Sequence, residues 1–198
     1  MPAGLPLIQI TPPVLLALHR SAPVRLRAVI LIVAGVAGSG KTTVGALLAG
    51  RLGWAFADAD TFHPEANIAK MRAGFPLTDA DREPWLRALG GWMDAKIAAG
   101  QSGVVTCSAL KRFSRDRLLA GRPMAILVFL QVSREVLARR LISRPDHFFH
   151  EKLLYSQLAD LEPLAPDEER VLSVPAEADV ETTVARIIAT VWPDGPTA

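Results

Sequence analysis

Gly35-Val36-Ala37-Gly38-Ser39-Gly40-Lys41-Thr42 fits the pattern GxxxxGK[ST] and lies between an apolar run at 28–34 and a helix-like stretch at 43–52. Strand, glycine loop and helix in that order form the context in which this pattern makes a phosphate-binding loop. Glycines let the backbone curl until several N–H groups converge on a polyphosphate, and the start of the following helix adds partial positive charge. In such a loop Lys41 reaches the β- and γ-phosphates, and the Thr42 hydroxyl holds Mg²⁺. A turn that merely joined a strand to a helix would need neither side chain.

The chain has 198 residues, half of them hydrophobic, enough for one well-cored domain and short for two. Its 22 basic and 20 acidic residues give a net charge of +2, which argues for small-molecule partners rather than nucleic acid or a membrane surface. Cys107 is the single cysteine, so no internal disulfide or Cys-based zinc site is available, as suits a reducing cytoplasm. The longest apolar run, 28–38, is far below the ~18 residues of a membrane span. Residues 1–27 contain no acid and several prolines; they read as a poorly ordered arm outside the fold, with the domain at 28–198.

Downstream, apolar stretches at 54–57, 103–108, 124–132 and 171–174 read as further strands, and helical stretches alternate with them. Five strands alternating with helices predict a parallel α/β sheet sandwiched between helix layers. A helix is expected from Pro64 to about Arg72, and a long one, capped by Thr78 or Asp79, over about 81–99. Ser114 is expected to cap the helix carrying Arg115, residues 146–150 to form a polar-aromatic turn, and another helix to run on to about Leu161. Asp58 and Asp60 fall at the carboxyl end of the second strand, where open parallel sheets bind ligands. One carboxylate there can hold Mg²⁺ and the other accept a proton from a substrate hydroxyl; an acidic helix cap is the competing reading.

Phosphate loops serve many enzymes. Asn67 is the only asparagine, which excludes the guanine-reading NKxD, and no aspartate precedes a glycine by three residues to make DxxG. A compact kinase remains, with a small lid at about 140–152. Arg140 and Arg144 are four apart on one helix face, suited to the charge that spreads over a phosphoryl group in transfer. His147 and His150 have no third ligand nearby, so the lid reading fits them better than a metal site.

Three stretches are more specific: Asp58-Ala59-Asp60-Thr61-Phe62-His63-Pro64, Pro76-Leu77-Thr78-Asp79-Ala80-Asp81-Arg82-Glu83-Pro84-Trp85-Leu86 and Cys107-Ser108-Ala109-Leu110-Lys111. With Arg115-Asp116, His147-Phe148-Phe149 and Ser156-Gln157 they resemble gluconokinase of the thermoresistant, P-loop type, over about 28–192. The resemblance implies the P-loop kinase fold and ATP-dependent phosphorylation of D-gluconate at its 6-hydroxyl, feeding the pentose phosphate or Entner-Doudoroff route. It also implies a cytoplasmic protein that forms a homodimer.

Carried over by motif, Gly35, Val36, Ala37, Gly38, Ser39, Gly40, Lys41, Thr42 and Thr43 hold ATP. Thr42 and Asp58 lie at Mg²⁺, and Asp60 orients or deprotonates the acceptor. His63, Lys111, Arg115 and His147 contact the sugar acid, while Lys41, Arg140 and Arg144 act as electrophilic clamps. Each has a plainer competitor: His63 as a helix cap, Lys111 as a solvated lysine, and Arg82 paired with Asp79 or Glu83 on a helix face. A kinase of another polyol acid and a non-catalytic nucleotide-binding module are the alternatives. The chain departs from the family pattern at Pro145-Asp146, which stiffens the lid hinge, and at Pro175 after the last strand.

Overall fold

The computed structural model of the chain describes residues 28–142 and 147–193. The expected arm at 1–27, together with Arg144 and Pro145-Asp146, lies outside the described residues. Five parallel strands form one sheet: β1 Ile30–Ala34, β2 Ala55–Asp58, β3 Gly103–Cys107, β4 Ala125–Gln131 and β5 Val171–Pro175, in the order β2-β3-β1-β4-β5. β1 is central and buried along its whole length, which is why its sequence is apolar without alternation.

Alternate residues of β1 enter two separate cores. Ile30, Ile32 and Ala34 join Trp85, Leu89 and Met93 of helix α3 (Asp79–Ala98), while Leu31 and Val33 join Val44 and Leu48 of α1 (Lys41–Leu52). Leu118 of α4 (Arg112–Leu119) fills the first layer, and Val184, Ile187 and Val191 of α7 (Val180–Val191) fill the second. The sequence thus builds the helix-sheet-helix sandwich it predicts. α1 rides close to the sheet at Gly45, where a Cβ would stand 2.6 Å from Thr106 Cγ2. Two shorter helices, α2 (Glu65–Arg72) and α5 (Arg134–Ile142), and the longer α6 (His147–Asp160) complete the described helices.

Several boundaries differ from the sequence reading. α4 begins at Arg112 with Lys111 at its N-cap, so Ser114 is buried inside the helix and does not cap it. α6 begins at His147, so 147–150 is helical rather than a turn. α3 starts two residues early because Thr78 and Asp81 form a reciprocal capping box: Thr78 Oγ1 accepts the Asp81 N–H at 3.2 Å, and Asp81 Oδ2 accepts the Thr78 N–H at 2.7 Å.

Register then sets the site. Ala34 pairs with Cys107, and Asp58 with Thr106, so β1, β2 and β3 end side by side. The loops that follow them leave the sheet together, and the Gly35 N–H reaches the Ser108 carbonyl at 3.4 Å.

Candidate active site

The loop after β1 turns through left-handed glycines, Gly38 at φ 80° and Gly40 at φ 93°. At Gly35 a side chain would stand 2.8 Å from Ser39 Oγ and 3.2 Å from the Leu130 carbonyl. Gly40 caps α1 without any side-chain acceptor, and no acidic residue lies in that helix's first turn. The first-turn N–H groups therefore face no competing carboxylate from their own helix, which favours an anion there. Lys41 Nζ folds back onto the Val36 carbonyl at 3.0 Å, and Ser39 Oγ is buried without a protein partner.

Beside the loop, Thr42 Oγ1 donates to Asp58 Oδ2 at 3.0 Å. Asp58 Oδ1 also accepts the Asp60 N–H at 3.1 Å, capping the 3₁₀ turn Ala59–Phe62. Asp58 is thus both a cap and the loop's acidic neighbour, and the turn it starts leaves Asp60 exposed. Among the described residues no three His, Cys, Asp or Glu side chains converge as a metal site. A hydroxyl and one carboxylate beside a phosphate cradle still fit Mg²⁺, which keeps several waters and binds through one or two carboxylates plus phosphate oxygens.

Past the 3₁₀ turn, the His63 ring stacks on Trp85 with centroids 4.5 Å apart and planes at 7°. Trp85 Nε1 is fixed by the Ala59 carbonyl at 2.7 Å, so α3 holds both the turn and the histidine. His63 Nδ1 is buried without a partner. Burial holds the imidazole below its ordinary value of 6.5 and the Arg82 charge adds to this, with Asp60 opposing.

Lys111, at the end of the β3 loop, donates to Asp79 Oδ1 at 3.1 Å, and Arg82 Nη1 reaches the same oxygen at 2.9 Å. These two cations, Lys111 first, pull the Asp79 carboxyl below the usual carboxylate range. Arg82 Nη2 goes on to Asp160 Oδ2 of α6 at 2.9 Å. One carboxylate therefore holds two cations side by side.

Residues 37–190 match the family model described as Shikimate kinase. The chain is 45% identical over 158 residues to a gluconokinase of Gluconobacter oxydans (strain 621H), covering 80% of this chain and 88% of that relative. It belongs to the gluconokinase family. The thermoresistant gluconokinase of Escherichia coli (strain K12) is 39% identical, covering 80% of this chain and 91% of the relative. The crystal structure of a gluconokinase from Sinorhizobium meliloti 1021 superposes with a TM-score of 0.74 at 39% identity, over 85% of this chain and 94% of that one. The P-loop kinase fold is thereby established.

Within this gluconokinase-family frame, the three specific stretches fall on the β2 end, the start of α3 and the β3 end, and Arg115 needs correction as a sugar-acid contact. Arg115 is fully buried in α4, with Nε on Glu168 Oε2 at 2.5 Å and Nη2 on Glu168 Oε1 at 2.8 Å. Its other N–H groups go to the carbonyls of Leu110 at 2.8 Å, Glu162 at 3.3 Å and Pro163 at 3.4 Å. All five donors of the guanidinium are engaged, leaving none for a ligand. Arg140 donates to the loop carbonyl of Ser39 at 3.4 Å and to Ala176 at 2.9 Å, which joins the phosphate loop to the segment after β5. His147 starts α6, and its side chain lies outside what the structure describes.

Sequence reasoning gave Gln157 no role, yet its Oε1 accepts the Ala37 N–H of the loop at 2.6 Å. The bond spans 120 residues, so no local pattern announces it. Arg82, read as a helix-face partner of Asp79 or Glu83, does pair with Asp79; its second partner, Asp160, lies too far along the chain for any spacing rule to find.

Proposed function

We propose that this protein transfers the γ-phosphoryl group of ATP to the 6-hydroxyl of D-gluconate, giving ADP and 6-phospho-D-gluconate. The observation that carries the reading is the Thr42–Asp58 hydrogen bond. It joins the nucleotide half, the glycine loop, to the acidic strand end from which Asp60 projects. The relatives called gluconokinases support the choice of acceptor.

In this reading the loop from Gly35 to Thr43 cradles the triphosphate, with backbone N–H groups at the start of α1 donating to it, and Lys41 neutralises charge on its outer oxygens. Thr42 and Asp58 would hold Mg²⁺, which supplies further neutralisation of phosphate charge when bound. Asp60 accepts the proton of the 6-hydroxyl as that oxygen forms its bond to phosphorus. Lys111 and Arg82 take the substrate's carboxylate in place of part of their hold on Asp79. His63 is uncharged at neutral pH and offers hydrogen bonds to hydroxyls. Arg140 stands at the loop as one electrophilic clamp; by motif alone, Arg144 is assigned as the second and His147 as a sugar-acid contact. Arg115 is assigned to the scaffold.

The protein works in the cytoplasm as a homodimer in this account, with residues 1–27 outside the catalytic domain. Among the described residues no helix is long and apolar enough to cross a membrane. The position of transfer is tested by proton-coupled ³¹P NMR of the product. Transfer to the 6-hydroxyl gives a phosphomonoester resonance split into a triplet by two methylene protons. A doublet would mean transfer to a secondary hydroxyl and would overturn the regiochemistry.

A further inference from the structure

Gln157 and Asp160 stand three residues apart on α6, so their side chains leave the same flank of the helix. The helix is pinned by Leu154, which is buried, and by Leu158, with Leu161 just past its end packing on the same core. From this fixed base Gln157 reaches the donor loop at Ala37, while Asp160 reaches Arg82 and, through Asp79, Lys111. One helix therefore holds both halves of the site in register.

The chemistry of the Ala37 contact is selective. An N–H donor can only be met by the amide oxygen, so Oε1 faces the loop and Nε2, on the same carbon, keeps two N–H donors of its own. A carboxylate would accept that N–H more strongly, but it would set a negative charge beside a polyphosphate. A methionine of similar length would fill the space and leave Ala37 without an acceptor. A neutral group that accepts from the loop and donates outward satisfies both requirements.

We propose that Gln157 is a positioning residue for the transferring phosphoryl group: Oε1 stays on the Ala37 N–H while an Nε2–H donates to a γ-phosphoryl oxygen. The proposal rests on the ATP reading of the loop and not on gluconate as acceptor. It predicts that Gln157 distinguishes ATP from ADP.

Calorimetric binding of ADP and of the non-hydrolysable β,γ-imido analogue of ATP, each with Mg²⁺, tests this on the full chain. In Gln157→Met the analogue should bind about ten-fold more weakly, and ADP less than roughly three-fold more weakly, the loss expected for one hydrogen bond to a charged group. Gln157→Glu retains an acceptor for Ala37 but loses the donors and adds charge. It should weaken the analogue further than Gln157→Met does, again with a smaller effect on ADP, and it carries the test if the methionine variant does not fold. Hydrogen exchange at the Ala37 amide in the ligand-free protein reads the loop bond separately: protected in wild type and Gln157→Glu, faster in Gln157→Met. Equal loss for both nucleotides, or no loss for either, would overturn the proposal and reduce Gln157 to a brace for the loop. Failure of the wild type to bind either nucleotide would instead remove the ATP reading, and the proposal with it.

Discussion

Asp60 carries the chemical step in this account, and its position explains how it can. Asp58 spends its two oxygens on Thr42 and on the Asp60 N–H, so the turn is held by one carboxylate while the other projects. Asp60→Asn should lower kcat by at least about 100-fold, the usual contribution of a positioned base, with the KM for ATP within about three-fold of wild type. Equal losses in both would move Asp60 to nucleotide binding. His63 makes a second residue-level prediction. Its folded value lies below the ordinary 6.5 because burial disfavours the cation, so the unfolded chain takes up a proton first as pH falls. Its contribution to stability is complete above 6.5 and is lost as pH drops through the folded value. Imidazole C–H shifts followed by NMR should therefore titrate below 6.5 for His63; a midpoint at or above that value would mean the ring is charged or solvated.

At the scale of elements, the Arg115–Glu168 pair ties α4 to the loop before β5. Burial alone pushes the Glu168 carboxyl up, but the Arg115 hydrogen bonds, the Ala165 N–H and the surrounding positive charge together bring it below its ordinary 4.5. Stability from this pair is thus fully present above pH 4.5 and is lost as pH falls through the lowered value. Glu168→Gln leaves a buried guanidinium without its counter-ion and should cost about 3–5 kcal/mol, lowering the melting temperature by roughly 6–20 °C while leaving the KM for gluconate unchanged. Calorimetric melting beside steady-state kinetics checks both halves, and a raised KM with unchanged melting would return Arg115 to the substrate site. The misreading has a physical origin. Arg115 sits four residues after Lys111 in a ligand-like stretch, whereas its partner lies 53 residues away, beyond any local pattern.

For the whole molecule, legibility followed the range of the interaction. The five strands could be read because burial on both faces demands uninterrupted apolar runs such as Ile30–Ala34, and the glycine loop because backbone curvature and phosphate chemistry are written into adjacent residues. The acidic β2 end was legible for the same reason. What escaped were long-range pairings: Gln157 on Ala37, Asp160 on Arg82 and Glu168 on Arg115, each made by an ordinary polar residue whose role exists only after the sheet has brought distant segments together. Two of those pairings, three residues apart on α6, tie one helix to the phosphate loop and to the Arg82–Asp79–Lys111 group. Coupled detection of ADP release, with gluconate, other aldonates, shikimate and nucleoside monophosphates offered in parallel, tests the proposed function most directly. The account predicts turnover that depends on gluconate and exceeds that with every other acceptor. A folded, ATP-binding sample showing no gluconate-dependent release of ADP would contradict it.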